Sequence, residues 1–391
     1  MRIGIDATGL WAANEESPSG IINYTIQITR GLLTVDHVHE YFIYCRNGIS
    51  EPLAEFSSRA VLKVLRSRNR KLLQQTRLPF AAVRDGLDVM FFPFNSSALL
   101  CPCKSVVTIH DLHPFTVPER FAIVHGTHVH QTNWRSNANQ WYWRTILRRS
   151  SQRASRVLAV SEVTKIDIEN IFGIPADKID VVHEGADQRI FARKEAAVDD
   201  DSTFRRKYNL PPRYILCMGT HGYKNVEGSI RAFRLVKERA PEPVKLVIAG
   251  AKRYLGEDKF HLVRDLSLEN DVIFTDFFPD EDLPGLYAHA DLLLFPSFYE
   301  GFGLPVVEAF GCGTPVVAST AGALPETSGD AALLVDPGNL EDIAAAVLAL
   351  LTDEDLRTRQ RERGWRRVKE FTWEGAARKT VRVLEKACAS A

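Results

Sequence analysis

The stretch FPSFYEGFGLPVVEAFGCGTPVV (295–317) places two carboxylates, Glu300 and Glu308, eight positions apart around a glycine turn. A carboxylate accepts hydrogens from two hydroxyls at once, which suits the vicinal hydroxyls of a sugar. Gly301 and Gly303 allow the main chain to approach a ligand closely. Pro305 suits the first turn of a helix, where the N–H it lacks would be unpaired in any case. A strand, a glycine turn and a helix start, in that order, form an anion cradle, because unpaired N–H groups and the helix dipole both favour negative charge there. With Glu308 in the first helical turn and Glu300 just ahead of the glycines, one acid can hold a ribose and the other a hexose, with a diphosphate between them. The competing reading makes Glu300 a solvated turn residue and Glu308 an acid that complements the helix dipole.

Such residues need a scaffold, and the apolar runs supply one. MRIGIDA (1–7), YFIYC (41–45), LDVMFFP (87–93), SVVTIHD (105–111) and RVLAVS (156–161) are short, mainly apolar and separated by room for helices. The pattern restarts with YILCMG (214–219), VKLVIAG (244–250), DVIFTDF (271–277), ADLLLFPS (290–297), TPVVAS (314–319) and AALLVDP (331–337). Runs apolar on both faces and separated by helical stretches indicate parallel strands in βαβ units. Helices are expected at 226–240 and 283–290, the second after an acidic turn at Glu281 and Asp282. A chain of 391 residues exceeds the ~250–300 at which one core stops growing, so two domains are expected. The boundaries read 1–192, a polar linker at 193–212 that ends in Pro211-Pro212, 213–372, and a C-terminal helix at 373–391 able to pack back on the first domain. The fold class is therefore α/β, with two Rossmann-like, doubly wound parallel sheets and a cleft between them. Ligands belong outside the carboxyl ends of such strands.

Composition narrows the classes. The formal net charge is +0, so no global field selects a nucleic acid. Six cysteines scattered through so long a chain do not read as a disulfide framework, and Cys101-Pro102-Cys103 has no matching second pair to complete a zinc site. Asp6 interrupts any signal-peptide core, and no run approaches the ~18–20 apolar residues of a membrane span. The first βα turn, DATGLWAANEESPSGIINY (6–24), lacks G-x-G-x-x-G, which argues against a nicotinamide site; residues 14–19 within it could form a lid.

The pattern E-G-F-G-L-P-x-x-E-A at 300–309, followed by CGTPVVAS, LPETSGDAA and LLVDP, resembles the retaining glycosyltransferases of family GT4, which have the GT-B fold. YILCMGTHGYKN (214–225), TIHD (108–111), VLAVSE (157–162) and HEGADQRIF (183–191) fall in the order that family uses, so the resemblance spans nearly the whole chain. It implies that Glu300 contacts the hydroxyls of the donor hexose and Glu308 the nucleotide ribose, and that main-chain N–H groups around Phe302, Gly303 and Leu304 hold sugar and diphosphate. It makes Lys224 the cation that neutralises the diphosphate, His110 a neutral imidazole facing the donor sugar, and Gly20 part of a loop near the phosphates. One departure stands out. Where many relatives carry an arginine after the glycine matching Gly219, this chain has Thr220 and then His221. Lys224 then acts alone, with His221, or with an arginine from elsewhere.

The resemblance implies transfer of a mannose- or glucose-type hexose from a GDP- or UDP-sugar to a hydroxyl of a saccharide, glycolipid or lipid-linked acceptor. It implies neither cofactor nor metal, and the family's same-face substitution would leave the anomeric configuration retained. The alternatives weighed are another GT-B enzyme (an epimerase or a phosphorylase) and a non-catalytic nucleotide-sugar-binding subunit. Residues 59–84 hold eight basic residues and no acid, and 120–161 hold seven arginines and no acid with Trp134, Trp141, Tyr142 and Trp143 among them. Basic residues mixed with leucine and tryptophan suit an anionic membrane or a lipid-linked phosphate; the plainer reading is solvated helix faces over buried aromatics. The expected location is the cytoplasm, peripheral at the inner face of the plasma membrane through 59–84 and 120–156.

Overall fold

A computed structural model describes residues 1–11, 20–49, 51–112, 115–116, 134–186, 201–219, 222–250 and 257–389. The chain divides into two compact units, Met1–Gly185 with Trp373–Ala391, and Ala186–Thr372.

The first unit is built on β1 (Arg2–Trp11), β2 (Glu40–Arg46), β3 (Val61–Leu65), β4 (Val89–Phe92), β5 (Lys104–Ile109), β6 (Arg156–Ala159) and β7 (Ile179–Val181). They form one seven-stranded sheet, ordered β3-β2-β1-β4-β5-β6-β7. Each neighbouring pair is parallel. The central strands are buried along almost their whole length, which is why they read in the sequence as mainly apolar runs. The helix Gly20–Val35 packs on the C-terminal helix Trp373–Ala389 across Gly31. A Cβ at Gly31 would stand 2.9 Å from the Trp373 carbonyl oxygen and 3.0 Å from Ala377 Cβ, so the absent side chain is what lets the two axes approach.

The second unit holds β8 (Tyr214–Met218), β9 (Lys245–Ala249), β10 (Val272–Phe274), β11 (Leu292–Phe295), β12 (Val316–Ser319) and β13 (Ala332–Val335). The six-stranded sheet runs β10-β9-β8-β11-β12-β13, again all parallel. The chain moves outward from β8 to β10, then returns to lay β11 on the other side of β8. Strand order thus reverses between β8 and β11, and in the first sheet between β1 and β4. At such a reversal the two loops leave in opposite directions and open a crevice at the carboxyl ends of the strands.

Two segments differ from the sequence expectation. Residues 61–65, part of the basic stretch, form the edge strand β3, with Val61 and Val64 exposed. Within 193–212, expected as a linker, residues Asp201–Tyr208 form a helix of the second unit, and 193–200 lie outside the described residues. Asp282 explains its docking. The carboxylate of Asp282 makes no cap bond to the helix Leu283–Ala288 that it precedes; it accepts from Lys207 Nζ at 2.7 Å and from the Tyr208 hydroxyl. Phe204 of the same helix fills the space over Gly285, where a Cβ would come within 2.7 Å of its ring.

Candidate functional site

The loops after β8 and β11 carry the residues singled out in the second unit. β11 is buried on both faces and ends at Phe295; the chain then turns through Pro296 to Gly303 and enters the helix Leu304–Cys312. Gly303 adopts φ 99°, open to glycine and strained for other residues, and a Cβ there would lie 2.6 Å from Leu324 Cδ2. Pro305 sits in the first turn of the helix, and no side chain caps its start. The backbone of Glu300 is clamped from the far side. Gly322 at φ 59° lies so close that a Cβ would meet the Glu300 nitrogen and carbonyl oxygen at 2.6 Å, and the Ala323 N–H donates to that carbonyl at 2.9 Å.

Lys224 reaches this turn from the loop after β8. Its Nζ donates to Glu300 Oε1 at 2.7 Å, with the lysine side chain 15% and the glutamate side chain 10% exposed. The ammonium also lies 4.8 Å from the centre of the Phe295 ring and 5.2 Å from that of Tyr223, so aromatic faces favour its charge. The Phe298 N–H donates to the Tyr223 carbonyl at 2.8 Å, which ties the two loops together. Asn225 completes the frame. In a left-handed conformation at φ 57°, its Oδ1 accepts from the Gly228 N–H and caps the helix Val226–Arg239. Its Nδ2 donates to the Pro296 carbonyl at 3.1 Å and the Pro337 carbonyl at 2.8 Å. One buried amide therefore holds the loops after β8, β11 and β13.

Glu308 is the fifth residue of its helix, and the first turn holds no acid. That corrects the expected first-turn placement and weakens the dipole reading, since the dipole's influence fades within that turn. A different partner fixes it: the Tyr287 hydroxyl donates to Glu308 Oε2 at 2.7 Å. Tyr287 is fully buried, and burial, followed by the charge of Glu308, pushes its phenol well above the ordinary range, so it stays a donor. The sequence reading missed this residue. Its only signal was a tyrosine inside the otherwise apolar Leu-Pro-Gly-Leu-Tyr-Ala helix.

In the first unit, His110 follows β5 and is buried. Its N–H donates to Asn95 Oδ1 at 2.7 Å. Nε2 lies 2.8 Å from the Pro93 carbonyl, which can only accept, so Nε2 carries a hydrogen. Nδ1 lies 2.9 Å from Glu184 Oε1, also buried. Both ring nitrogens thus have partners within the first unit, where the sequence reading had one donating to a ligand hydroxyl and the other accepting from one. The ring edge packs on Tyr24 with centroids 4.5 Å apart. Glu184 was quoted in the HEGADQRIF motif without a role; its distance of 74 positions from His110 hid the pairing.

The other expected residues divide as follows. Gly219 has φ 92°, donates its N–H to the Ala249 carbonyl, and has Lys224 Cγ 3.2 Å from where a Cβ would stand. Phe302 is buried against Phe371, and its carbonyl accepts from Thr327 Oγ1 at 2.5 Å. Gly20 is the exposed first residue of its helix, with space around it. Thr220, His221 and the expected lid at 14–19 lie outside the described residues. Among the described residues, no three His, Cys, Asp or Glu side chains converge as a metal site.

Comparison with known proteins returns two family profiles. Residues 18–189 match Glycosyltransferase Family 4, and residues 200–367 match Glycosyl transferases group 1. The O-antigen chain mannosyltransferase B of Escherichia coli is 32% identical over 280 residues, 71% of this chain and 69% of that one. The MMP alpha-(1->4)-mannosyltransferase of Mycolicibacterium hassiacum is 30% identical over 290 residues, 73% of this chain and 66% of that one. Among solved structures, a glycosyltransferase from Rickettsia africae superposes with a TM-score of 0.72 at 18% identity, covering 100% of this chain and 99% of that one. Anabaena Alr3699/HepE in complex with UDP-glucose superposes at 0.69 and 20% identity, covering 99% and 100%. Both are likenesses of fold, and the fold is GT-B.

The loop frame predicts a stability cost. Asn225→Asp keeps the helix cap but sets a buried carboxylate oxygen against two carbonyls. The second unit should lose at least about 2 kcal/mol in urea unfolding. An unchanged midpoint would show that Asn225 does not hold the loops.

Proposed function

The chain belongs to the glycosyltransferases of group 1 and family 4, and from that premise we propose that it moves a mannose-type hexose from a nucleoside-diphosphate sugar to a hydroxyl of a saccharide, glycolipid or lipid-linked acceptor. Two relatives named as mannosyltransferases favour mannose over glucose. The carrying observation is the Lys224–Glu300 pair at the strand-order reversal, beside the start of the helix Leu304–Cys312.

That pair is a charge held in reserve. Two mostly buried ions satisfy one another until a ligand arrives, and removing either partner leaves the other uncompensated. A diphosphate is the stronger anion, so on donor binding it takes Lys224. Glu300, released, accepts hydrogens from the hexose hydroxyls. Negative charge grows on the leaving diphosphate as the bond to the anomeric carbon breaks; Lys224 and the helix start meet it with a cation and oriented N–H groups. The acceptor hydroxyl attacks from the same face and passes its proton to a leaving phosphate oxygen, so configuration is retained and no metal is required. Glu308, oriented by Tyr287, holds the ribose.

The basic surface of the first unit gives this activity a place to work. The helices Arg70–Gln75 and Arg77–Arg84 expose Leu72, Phe80 and Val83, with Arg66, Arg68 and Arg77 also on the surface. Gln74 and Gln75 anchor this pair: Gln74 Nε2 donates to Asp6 Oδ2 and the Ser96 carbonyl, and Gln75 Nε2 donates to the Ser97 carbonyl. Apolar side chains among arginines on a fixed support suit an anionic lipid surface at the inner face of the plasma membrane. Of the second basic segment, 120–133 lies outside the described residues.

Three outcomes test this reading. Lys224→Ala should lower kcat by about 10²–10³, while the donor dissociation constant moves less than about tenfold, because on binding Lys224 only trades Glu300 for the diphosphate, whereas the charge that grows at departure has no such offset; the reverse order would remove it from that role. Glu308→Ala should raise the dissociation constant for GDP or UDP by about tenfold or more in calorimetry; unchanged binding would refute the ribose assignment. Replacing Leu72, Phe80 and Val83 together by serine should weaken co-sedimentation with phosphatidylglycerol vesicles by at least about tenfold. A wild-type protein that ignores such vesicles would end the membrane reading.

A further inference from the structure

Cys101 and Cys103 flank Pro102 just ahead of β5, with their sulfurs 3.7 Å apart. Both are half-buried, so a small reagent can reach them, whereas Cys45 and Cys217 are buried. From this pairing we propose that Cys101 and Cys103 form a reversible dithiol–disulfide couple, oxidised by a low-molecular-weight disulfide of the glutathione type. A disulfide needs its sulfurs about 2 Å apart, and these residues are near enough to close with a small local movement. Two neighbours in sequence bridged across one proline make a small, strained ring, and strained, accessible disulfides are the readily reduced ones.

The two thiols divide the work. The Cys103 S–H donating toward Cys101 holds the Cys101 thiol below its ordinary range, while that contact, burial and the neighbouring charge push Cys103 up. Cys101 is therefore the attacking thiolate. Its sulfur bonds to one sulfur of the small disulfide, whose S–S bond breaks and whose other half leaves as a thiolate that takes up a proton. Cys103 then gives its proton to solvent and attacks the Cys101 sulfur, and the second small thiol leaves. The protein loses two electrons and two protons, and the small disulfide becomes two thiols. The couple sits at the end of the 93–103 loop whose Pro93 and Asn95 hold His110.

The full chain, reduced and then incubated with oxidised glutathione, tests this by intact mass, thiol titration in denaturant and peptide mapping. The expected product has lost the mass of two hydrogens and two titratable thiols. Its bond maps to Cys101–Cys103, and dithiothreitol reverses it. Cys103→Ser should stop at a glutathione adduct on Cys101, Cys101→Ser should give no intramolecular bond, and Cys388→Ser should behave as wild type. Glutathione adducts without ring closure in the wild-type chain, a bond mapped to Cys388, or no reaction would each overturn the proposal.

Discussion

The reversal of strand order between β8 and β11 is the constraint on which the second unit's chemistry rests. Two parallel strands lie side by side, yet their connections leave toward opposite edges of the sheet. The carboxyl ends therefore share a gap that no crossover helix fills. Lys224 comes from one side of that gap and Glu300 from the other, and they meet at 2.7 Å. Neither loop could deliver its charge alone. A site assembled this way needs its loops braced against each other, and the Phe298–Tyr223 main-chain bond and the Asn225 amide do this without a charged group. Bracing by neutral groups keeps the Lys224–Glu300 pair out of the frame's own bonds.

Much of this is legible in the sequence. Strands buried on both faces are apolar at most positions, so β1, β4, β5, β8, β9, β11 and β12 declared themselves as runs. The glycine turn after β11 was legible for a related reason: Gly303 and the chain around it have no room for side chains. What escaped was either peripheral or distant. β3 is an edge strand with Lys63 in its middle, so its solvent-facing side broke the apolar run. β7 has three residues, one of them Asp180. The helix Asp201–Tyr208 is polar apart from Phe204 and Tyr208, and a polar segment beside a proline pair reads as a connection.

The site residues followed the same division. Glu300 and Glu308 could be found from the glycine turn and helix start that they flank, and Lys224 and His110 from the motifs that carry the family resemblance. Their partners could not. Tyr287 lies 21 positions from Glu308, and Glu184 lies 74 from His110. No local period links such residues; only the sheet topology brings them together. His110 shows the cost of reading a residue without its partners. Taken alone, its two nitrogens were free to serve a ligand, whereas in the structure one meets the Pro93 carbonyl and the other the Glu184 carboxyl group.

The tail Trp373–Ala389 packs on the helix Gly20–Val35, so the first unit is made from both ends of the chain while the second is one uninterrupted stretch. During synthesis the middle portion emerges complete well before the last helix leaves the ribosome. Units generally fold as they become available. The usual order is therefore inverted here. The sheet of β1 to β7 must keep the Gly20–Val35 surface uncovered until Trp373–Ala389 has been made, and a chain that stalls after Thr372 would carry a finished second unit beside an unfinished first.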